Sequence, residues 1–443
     1  MTEDGNSIIA DSLDREKLVQ DSLDLVNVDS PTGREGEVGE LYASKLRALG
    51  MKVVLQEVEP GRYNVLATLK GEDPSGTVLM FNGHLDTSFA ASEDPAILKA
   101  ISPVYKFTPP WGYIKDDWLY GMGSFNMKSA LAAYAAAVRT VQDNSIKLKG
   151  DIVIAGVVGE IEKTQVDQYV GAQFRGYGHG TAYLVAHGGT ADVAILGEPT
   201  GLRLMCSHSG SCWFRIGLKG TLVHTGHSLA VTNVIQQMNR VISALEKWIP
   251  DYQSRYMYMG VKPTVNIGSI EGGWPWRASR TPGFCNLYLD VRFPPRYHAL
   301  DIREEVARIL QKVKAEQGVD ADLDIYVTDE WSEVSPEEYV ANSVARSHEK
   351  VFAKPVENVY FSWSSDANVL TRHGIKAVNY GPSGGPGKET RGTMYIPNLV
   401  NCAKVYVLSA LDLCSKSRKD TSGASTAKVT AGSSSNNDKH ARS

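Results

Sequence analysis

The sequence predicts an α/β protein: a layered α/β domain interrupted by an inserted β-α-β-β-α-β domain. Three observations carry this. Apolar strand-like runs alternate with helical stretches as far as residue 207, the order of an α/β layer with a mostly buried sheet. Near residue 208 the order changes to strand, helix, strand, strand, helix, strand, which is a compact split βαβ sandwich in itself. After Trp331 the first style returns, so the simplest account is a second domain inserted into a loop of the first. The expected boundaries are 1–207 and 331–418 for the two parts of the layered domain, 208–330 for the insert and 419–443 for a polar tail.

Taken in order, residues 12–50 read as two helices separated by SPTGREGEV, where Pro31 and Gly33 break the first and Glu35 and Glu37 favour the start of the second. Strand runs follow at MKVVLQEV (51–58), NVLATLKG (64–71), TVLMFNG (77–83), DIVIAGVV (151–158) and ADVAILG (191–197). Between the third and fourth lies MKSALAAYAAAVRTV, Ala-rich and of high intrinsic helix propensity. The insert reads CWFRIGLKG, VTNVIQQMNRVISALEKW, TVNIGSI, FCNLYLDVRF, REEVARILQKVKAEQ and DLDIYVT. NVYFSWSSDANVL, AVNYGPSGG and a last helix near 397–414 complete the layered domain. KDTSGASTAKVTAGSSSNNDKHARS has too few apolar residues to order itself.

Composition narrows the function classes. With 46 basic and 50 acidic side chains the net charge is −4, which argues against a nucleic-acid surface built on bulk positive charge. There is no apolar run of 18 residues, so no transmembrane helix is expected. The acidic start lacks the basic-then-apolar order of a signal peptide, and five cysteines without CxxC spacing read as reduced thiols; a cytoplasmic protein is expected. GPSGGPGKET lacks the first glycine of a phosphate loop, GYGHGTA lacks a strand–turn–helix setting, and no GxSxG elbow occurs.

Four segments carry candidate chemistry. GHLDTS places His84 at a strand's C-terminal end, where open α/β sheets bind ligands, with Asp86 two residues on to hold the second ring nitrogen; a capped turn is the plain alternative. GMGSFNMKSALAAY places Asn126 at the start of the Ala-rich helix, as an N-cap or as a neutral amide ligand. GEIEKTQ offers Glu160 and Glu162, surface charges or, at the end of a buried strand, a general base. GEPT puts Glu198 at another strand end. Three strand ends presenting His84, Glu160 and Glu198 to one edge form a constellation, although strand order is not written in the sequence.

SPTGREGEV, GRYNVLA, GHLDTS, LYGMGSFNMKSALAA, GEPT, GLKGTLVHTGHS, SIEGG, LDVR and YGPSGG occur in the order typical of M20-type metallohydrolases, and the chain resembles that family from about residue 20 to 415. The resemblance implies a metal-bearing α/β catalytic domain and a smaller lid, or dimerisation, domain. It also implies Glu160 as base, Asp86 orienting His84, and His84, Asn126 and Glu198 as ligands of one metal. The departures cluster on the other metal of the usual pair: Asn126 replaces a bridging Asp, Gly159-Glu160-Ile161 replaces Asp-Glu-Glu, and Lys388 falls where a ligand His belongs. One divalent transition metal per chain, manganese or zinc, is therefore expected, held more weakly than in two-metal relatives.

The resemblance further implies a small-molecule substrate bearing a carboxylate and a homodimer or higher homo-oligomer formed through the lid. His224, in the HTGHS segment, stands where the family reaches across such a dimer, or is a turn histidine. Arg277 and Arg280 read a substrate carboxylate or are rim charges, Ser279 replaces the usual Asn, and Lys388 joins the substrate-facing set. Trp111, Trp274, Trp276 and Trp363 are candidates to stack on an aromatic ring, or plain core residues. The expected reaction is hydrolysis of a C–N bond. The single-metal pattern resembles 5-nitroanthranilic acid aminohydrolase, which implies conversion of 5-nitroanthranilate to 5-nitrosalicylate with release of ammonia. An amidohydrolase or peptidase acting on N-acyl amino acids or dipeptides, and a non-catalytic binding protein on the same fold, are the alternatives.

Overall fold

A computed structural model describes residues 3–90, 112–382, 384 and 393–422. Lys388, Trp111 and residues 423–443 lie outside the described residues, whereas the first residues of the expected 419–443 tail are ordered: Arg418–Thr421 is helical and Thr421 is buried against Thr77. Two compact units emerge, one of residues up to Cys206, Val334–Val359 and from Ser365 onward, the other Ser207–Glu333 with Tyr360–Ser364.

In the first unit, β1 (Lys52–Glu59), β2 (Arg62–Leu69) and β3 (Leu79–His84) are followed by two short strands, β4 (Tyr113–Lys115) and β5 (Trp118–Tyr120), then β6 (Ile152–Val157), β7 (Val193–Leu196) and β8 (Leu204–His208). Beyond the insert and its five strands come β14 (Asn358–Phe361), β15 (Lys376–Asn379) and β16 (Thr393–Tyr395). The main sheet runs β1-β2-β6-β3-β7-β15-β8, with β3 parallel to β6 and to β7. Alternate residues of the central strands enter two separate cores. Phe81, Ile152, Ile154 and Ile195 pack with the helices on one face, whereas Met80, Val153, Ala155 and Leu196 meet Leu184, Ala367 and Leu370 on the other. Burial on both faces is why β3, β6 and β7 read as continuous apolar runs.

The helix Ser129–Asp143 is buried on nearly every side, so its alanines let neighbouring elements approach closely. Helices Arg15–Val26 and Gly36–Ala48 fall where the sequence places them; Glu3–Asp11 is an additional helix whose Ile9 and Ala10 join the core. β16, β5 and β4 form a small separate sheet.

The second unit contains β9 (Gly210–Lys219), β10 (Val265–Gly272), β11 (Phe284–Phe293), β12 (Asp322–Asp329) and the short β13 (Ser332–Glu333). Four of these form an antiparallel sheet in the order β10-β11-β9-β12. Helices Val234–Arg255 and Ala299–Gln317 share a core with it: Cys212, Phe214, Ile216 and Leu218 of β9 point to the helices, while Trp213 and Arg215 occupy the opposite face. Both helices differ in extent from the sequence reading. The first starts at Val234, because Asn233 caps it, and continues past Pro250 to Arg255 because Tyr252 is buried in the core. The second starts at Ala299, where His298 and Asp301 form a reciprocal cap.

Candidate metal centre

The strand order β6-β3-β7 decides where the chemistry lies. From β3 the chain passes through helix Ser129–Asp143 to β6 on one side, then through helix His179–Ala186 to β7 on the other. The order therefore reverses about β3, and the crevice of such a sheet opens beyond its strands' C-terminal ends. His84 ends β3, level with Val157 of β6; Glu160 and Glu198 follow β6 and β7 by a few residues. Their side chains meet. His84 Nε2 lies 3.6 Å from Glu160 Oε2 and 4.0 Å from Glu198 Oε1, and ligand atoms of all three fall within 4.8 Å of one another. His84 and Glu198 are buried, Glu160 half-buried.

Asn126 joins them, and the structure corrects its capping role. Gly121 and Gly123 take positive φ and turn the chain, and Asn126 is extended (φ −136°, ψ 103°), three residues before the helix begins; Lys128 occupies the cap position. The Asn126 Oδ1 is thereby brought to 2.9 Å from His84 Nε2. His84 Nδ1 donates to the Asp86 carbonyl at 2.9 Å. A neutral ring in that tautomer turns the Nε2 lone pair toward the amide oxygen, an arrangement that calls for a proton or a cation between them. Donors about 2.1 Å from a shared ion stand about 3–4 Å apart, and His84 Nε2 stands 2.9 Å from Asn126 Oδ1 and 4.0 Å from Glu198 Oε1. Imidazole, amide oxygen and carboxylate form a mixed N/O set suited to a divalent transition metal.

Asp86 holds the second ring nitrogen of His84, as the sequence suggests, but chiefly by its main chain. It holds His84 through its main-chain carbonyl, while its carboxylate, 3.5 Å from Nδ1, accepts from Thr32 Oγ1 (2.8 Å), Glu160 N (3.1 Å) and Ile161 N (3.2 Å). The Asp86 carboxyl is fully buried, which opposes its charge, yet His84 and these donors hold it below the ordinary carboxylate range. Burial, and then the charge of Glu198, push Glu160 well above that range. Burial also raises Glu198, against the pull of His84. Burial disfavours the His84 imidazolium, but Glu160, Asp86 and Glu198 outweigh it and raise His84 well above its usual value. Crowded carboxylates of this kind shed their mutual repulsion on a divalent cation.

Residues that the sequence reading left without a role also shape the centre. Asp366, buried in the SSDANVL segment, accepts from Thr181 Oγ1 at 2.5 Å and adds negative charge near Glu160. Its only sequence signal was an acid directly before a short helix, Ala367–Arg372. GYGHGTA is no phosphate loop: Gly180 packs on the Val158 carbonyl, where a Cβ would stand 2.3 Å away.

Glu162 is half-buried on the loop after Glu160. His224, exposed in the inserted unit, caps a 3-10 turn by accepting from Gly226 N at 3.1 Å and pairs as an isolated bridge with Arg280. Arg277 is exposed in that unit; Trp274 and Trp276 stand 6.0 Å apart there, and Trp363 stacks on Phe361.

Residues 206–318 match the family model of the M20 peptidase dimerisation domain. The chain is 25% identical to N-formyl-4-amino-5-aminomethyl-2-methylpyrimidine deformylase of Bacillus subtilis, over 91% of this chain and 96% of that protein. It is 29% identical to acetylornithine deacetylase of Vibrio campbellii, over 66% of this chain and 71% of that one. Its fold resembles an M20 family metallo-carboxypeptidase from Sulfolobus solfataricus, with TM-score 0.70 and 17% identity, covering 90% of this chain and 99% of the other. No helix among the described residues is long and apolar enough to cross a membrane.

Proposed function

We propose, on the premise that this chain carries the M20 peptidase dimerisation domain and has deacylating hydrolases among its relatives, that it is a metal-dependent hydrolase of a C–N bond in a small carboxylate-bearing substrate. The observation that carries this is the convergence of His84, Asn126 and Glu198 beside a carboxylate, Glu160, whose affinity for a proton is raised by burial. His84, Asn126 and Glu198 would hold one divalent ion, manganese or zinc, which when bound supplies Lewis acidity to water and substrate. Glu160 then serves as the base: it takes a proton from the attacking water and delivers it to the departing nitrogen as the C–N bond breaks. Asp86 fixes both partners, His84 by its carbonyl and the Glu160 backbone by its carboxylate. Arg277, Arg280, His224 and Lys388 are proposed to read the substrate, in a homodimer or higher homo-oligomer formed through the inserted domain.

Two substrate classes follow. The neutral amide at Asn126 and the apolar Ile161 favour one-ion chemistry, and with it removal of an amino group from an electron-poor aromatic ring such as 5-nitroanthranilate, since the ring itself stores the developing charge. The deformylase and deacetylase named above favour cleavage of an N-acyl amine instead. A panel of nitroanthranilate, N-formyl aminopyrimidines and N-acetyl amino acids, assayed for ammonia and for free acid, separates them. Glu160→Gln is expected to lower turnover by about 100- to 10,000-fold, the usual range for a general base, while metal content stays at one ion per chain. Unchanged turnover in that variant would refute the assignment.

A further inference from the structure

Two motifs without a chemical role, SPTGREGEV and GRYNVLA, meet inside the sheet-bearing unit. Glu35 is 0% and Arg62 1% exposed, and they form a two-pronged ion pair, with Arg62 Nε 2.8 Å from Glu35 Oε2 and Nη2 2.7 Å from Oε1. The guanidinium also donates to Glu59 (2.6 Å) and to the carbonyls of Ala172 (3.3 Å) and Arg175 (3.1 Å). Those carbonyls belong to the loop whose Tyr177 N donates to Ile161 O (3.2 Å) and whose Gly176 N donates to Lys163 O (3.0 Å). Gly159, at φ +63°, lies against the same group: a Cβ there would stand 2.7 Å from Arg62 Nη2 and 2.5 Å from Arg175 O. From the other side Thr32, three residues before Glu35, donates to the Asp86 carboxylate that receives the Glu160 and Ile161 amides. The 159–161 segment is thus gripped on both flanks by groups anchored in one loop, residues 30–35.

We propose that the Glu35–Arg62 ion pair is a positioning device that sets where the Glu160 carboxylate stands relative to His84. None of the contacts above joins Glu35 or Arg62 to His84, Asn126 or Glu198; the pair acts through the backbone of the Glu160 loop. A buried pair is a costly means of holding two elements together unless direction matters, and a planar guanidinium fixes direction in a way an ammonium does not. The kinetic consequence rests on the hydrolase reading, whereas the structural consequence does not.

The test uses Glu35→Gln, Arg62→Lys and the milder Thr32→Val, with Glu305→Gln in the inserted unit as a control for general loss of stability. Hydrogen exchange over residues 157–163, manganese and zinc titration, and steady-state kinetics are read together. In the first three variants exchange at Glu160 and Ile161 is expected to rise about tenfold, the mark of a locally loosened segment. Turnover is expected to fall by about 10–100-fold, the scale of a misplaced catalytic group, with KM and metal affinity held within about twofold. Glu305→Gln should leave exchange in this segment unchanged. Wild-type exchange over 157–163 in folded Glu35→Gln and Arg62→Lys overturns the proposal; if neither folds, the same result in Thr32→Val does so. Loosened exchange in the variants, where the wild-type protein hydrolyses nothing on the panel, supports the positioning role and sinks the hydrolase reading instead.

Discussion

Asn126 offers its oxygen 2.9 Å from His84 Nε2 without contributing any charge, in a pocket that already holds Glu160 and Glu198. That neutrality sets how strongly a cation is retained. An aspartate in its place would add a third carboxylate to groups whose proton affinities are already raised by burial and mutual repulsion, and a divalent ion relieves that repulsion directly. Asn126→Asp is therefore expected to tighten metal binding by about tenfold, one unit charge in a partly screened site. The count should remain one ion per chain, because the neighbouring Ile161 contributes only its backbone N–H, already committed to Asp86. Titration calorimetry with an element count reads both quantities, and a second tightly held ion in the variant would contradict the one-ion shell.

At the scale of elements, the end of helix Val234–Arg255 is tied to helix Ala299–Gln317 by one carboxylate. Glu305 accepts from Arg255 Nη1 and Nη2 (2.8 and 2.7 Å), Tyr256 Oη (2.6 Å) and Trp248 Nε1 (2.9 Å). Burial opposes its ionisation, but these donors outweigh it and hold the carboxyl at about 2. A carboxyl depressed in the folded state contributes stability above its unfolded value, near 4.5, and loses it as the pH falls toward 2. The inserted unit should lose about 2–3 kcal/mol across that window, the fall from 4.5 to about 2 at 1.36 kcal/mol per pH unit being reduced by solvent screening. Glu305→Gln should remove this acid dependence while lowering stability at neutral pH, as followed by denaturant melts at stepped pH; an acid limb retained in the variant would assign it to other carboxylates. The same helices show what the sequence discloses. Apolar periodicity located both of them and every strand of the antiparallel sheet, because each buries one face in a shared core. It did not disclose that Glu305 would be the tie, since its partners lie 49 to 57 residues away. The centre divides likewise. His84, Glu160 and Glu198 were legible as polar residues closing apolar strands. The convergence of their strands was not, nor was the extended backbone that removes Asn126 from the cap. β4, β5 and β16, three residues each, are too short for periodicity to register, and the pairing of β16 with β5 joins segments far apart in the chain.

At the scale of the whole molecule, the two units keep separate cores. Residues from Cys212 to Val319 form one hydrophobic cluster, and neither cluster on the faces of the main sheet includes any of them. The proposed ligands all belong to the sheet-bearing unit, two of them on or just beyond the parallel strands β3 and β7. A ligand that binds only the native state stabilises by mass action whatever cooperative unit contains its site, by about 2.7 kcal/mol at a hundredfold excess over its dissociation constant. Removal of the metal should thus act on one unit and spare the other. In scanning calorimetry a chelator is expected to lower the transition of the sheet-bearing unit by several degrees, at the few degrees per kcal/mol usual for units of this size, and excess manganese or zinc should restore it. The inserted unit, identified by its sensitivity to Glu305→Gln, should melt at an unchanged temperature. A chelator that shifts the inserted unit's transition as well would show that the two cores unfold as one, and a chelator that shifts neither would remove the metal from the centre.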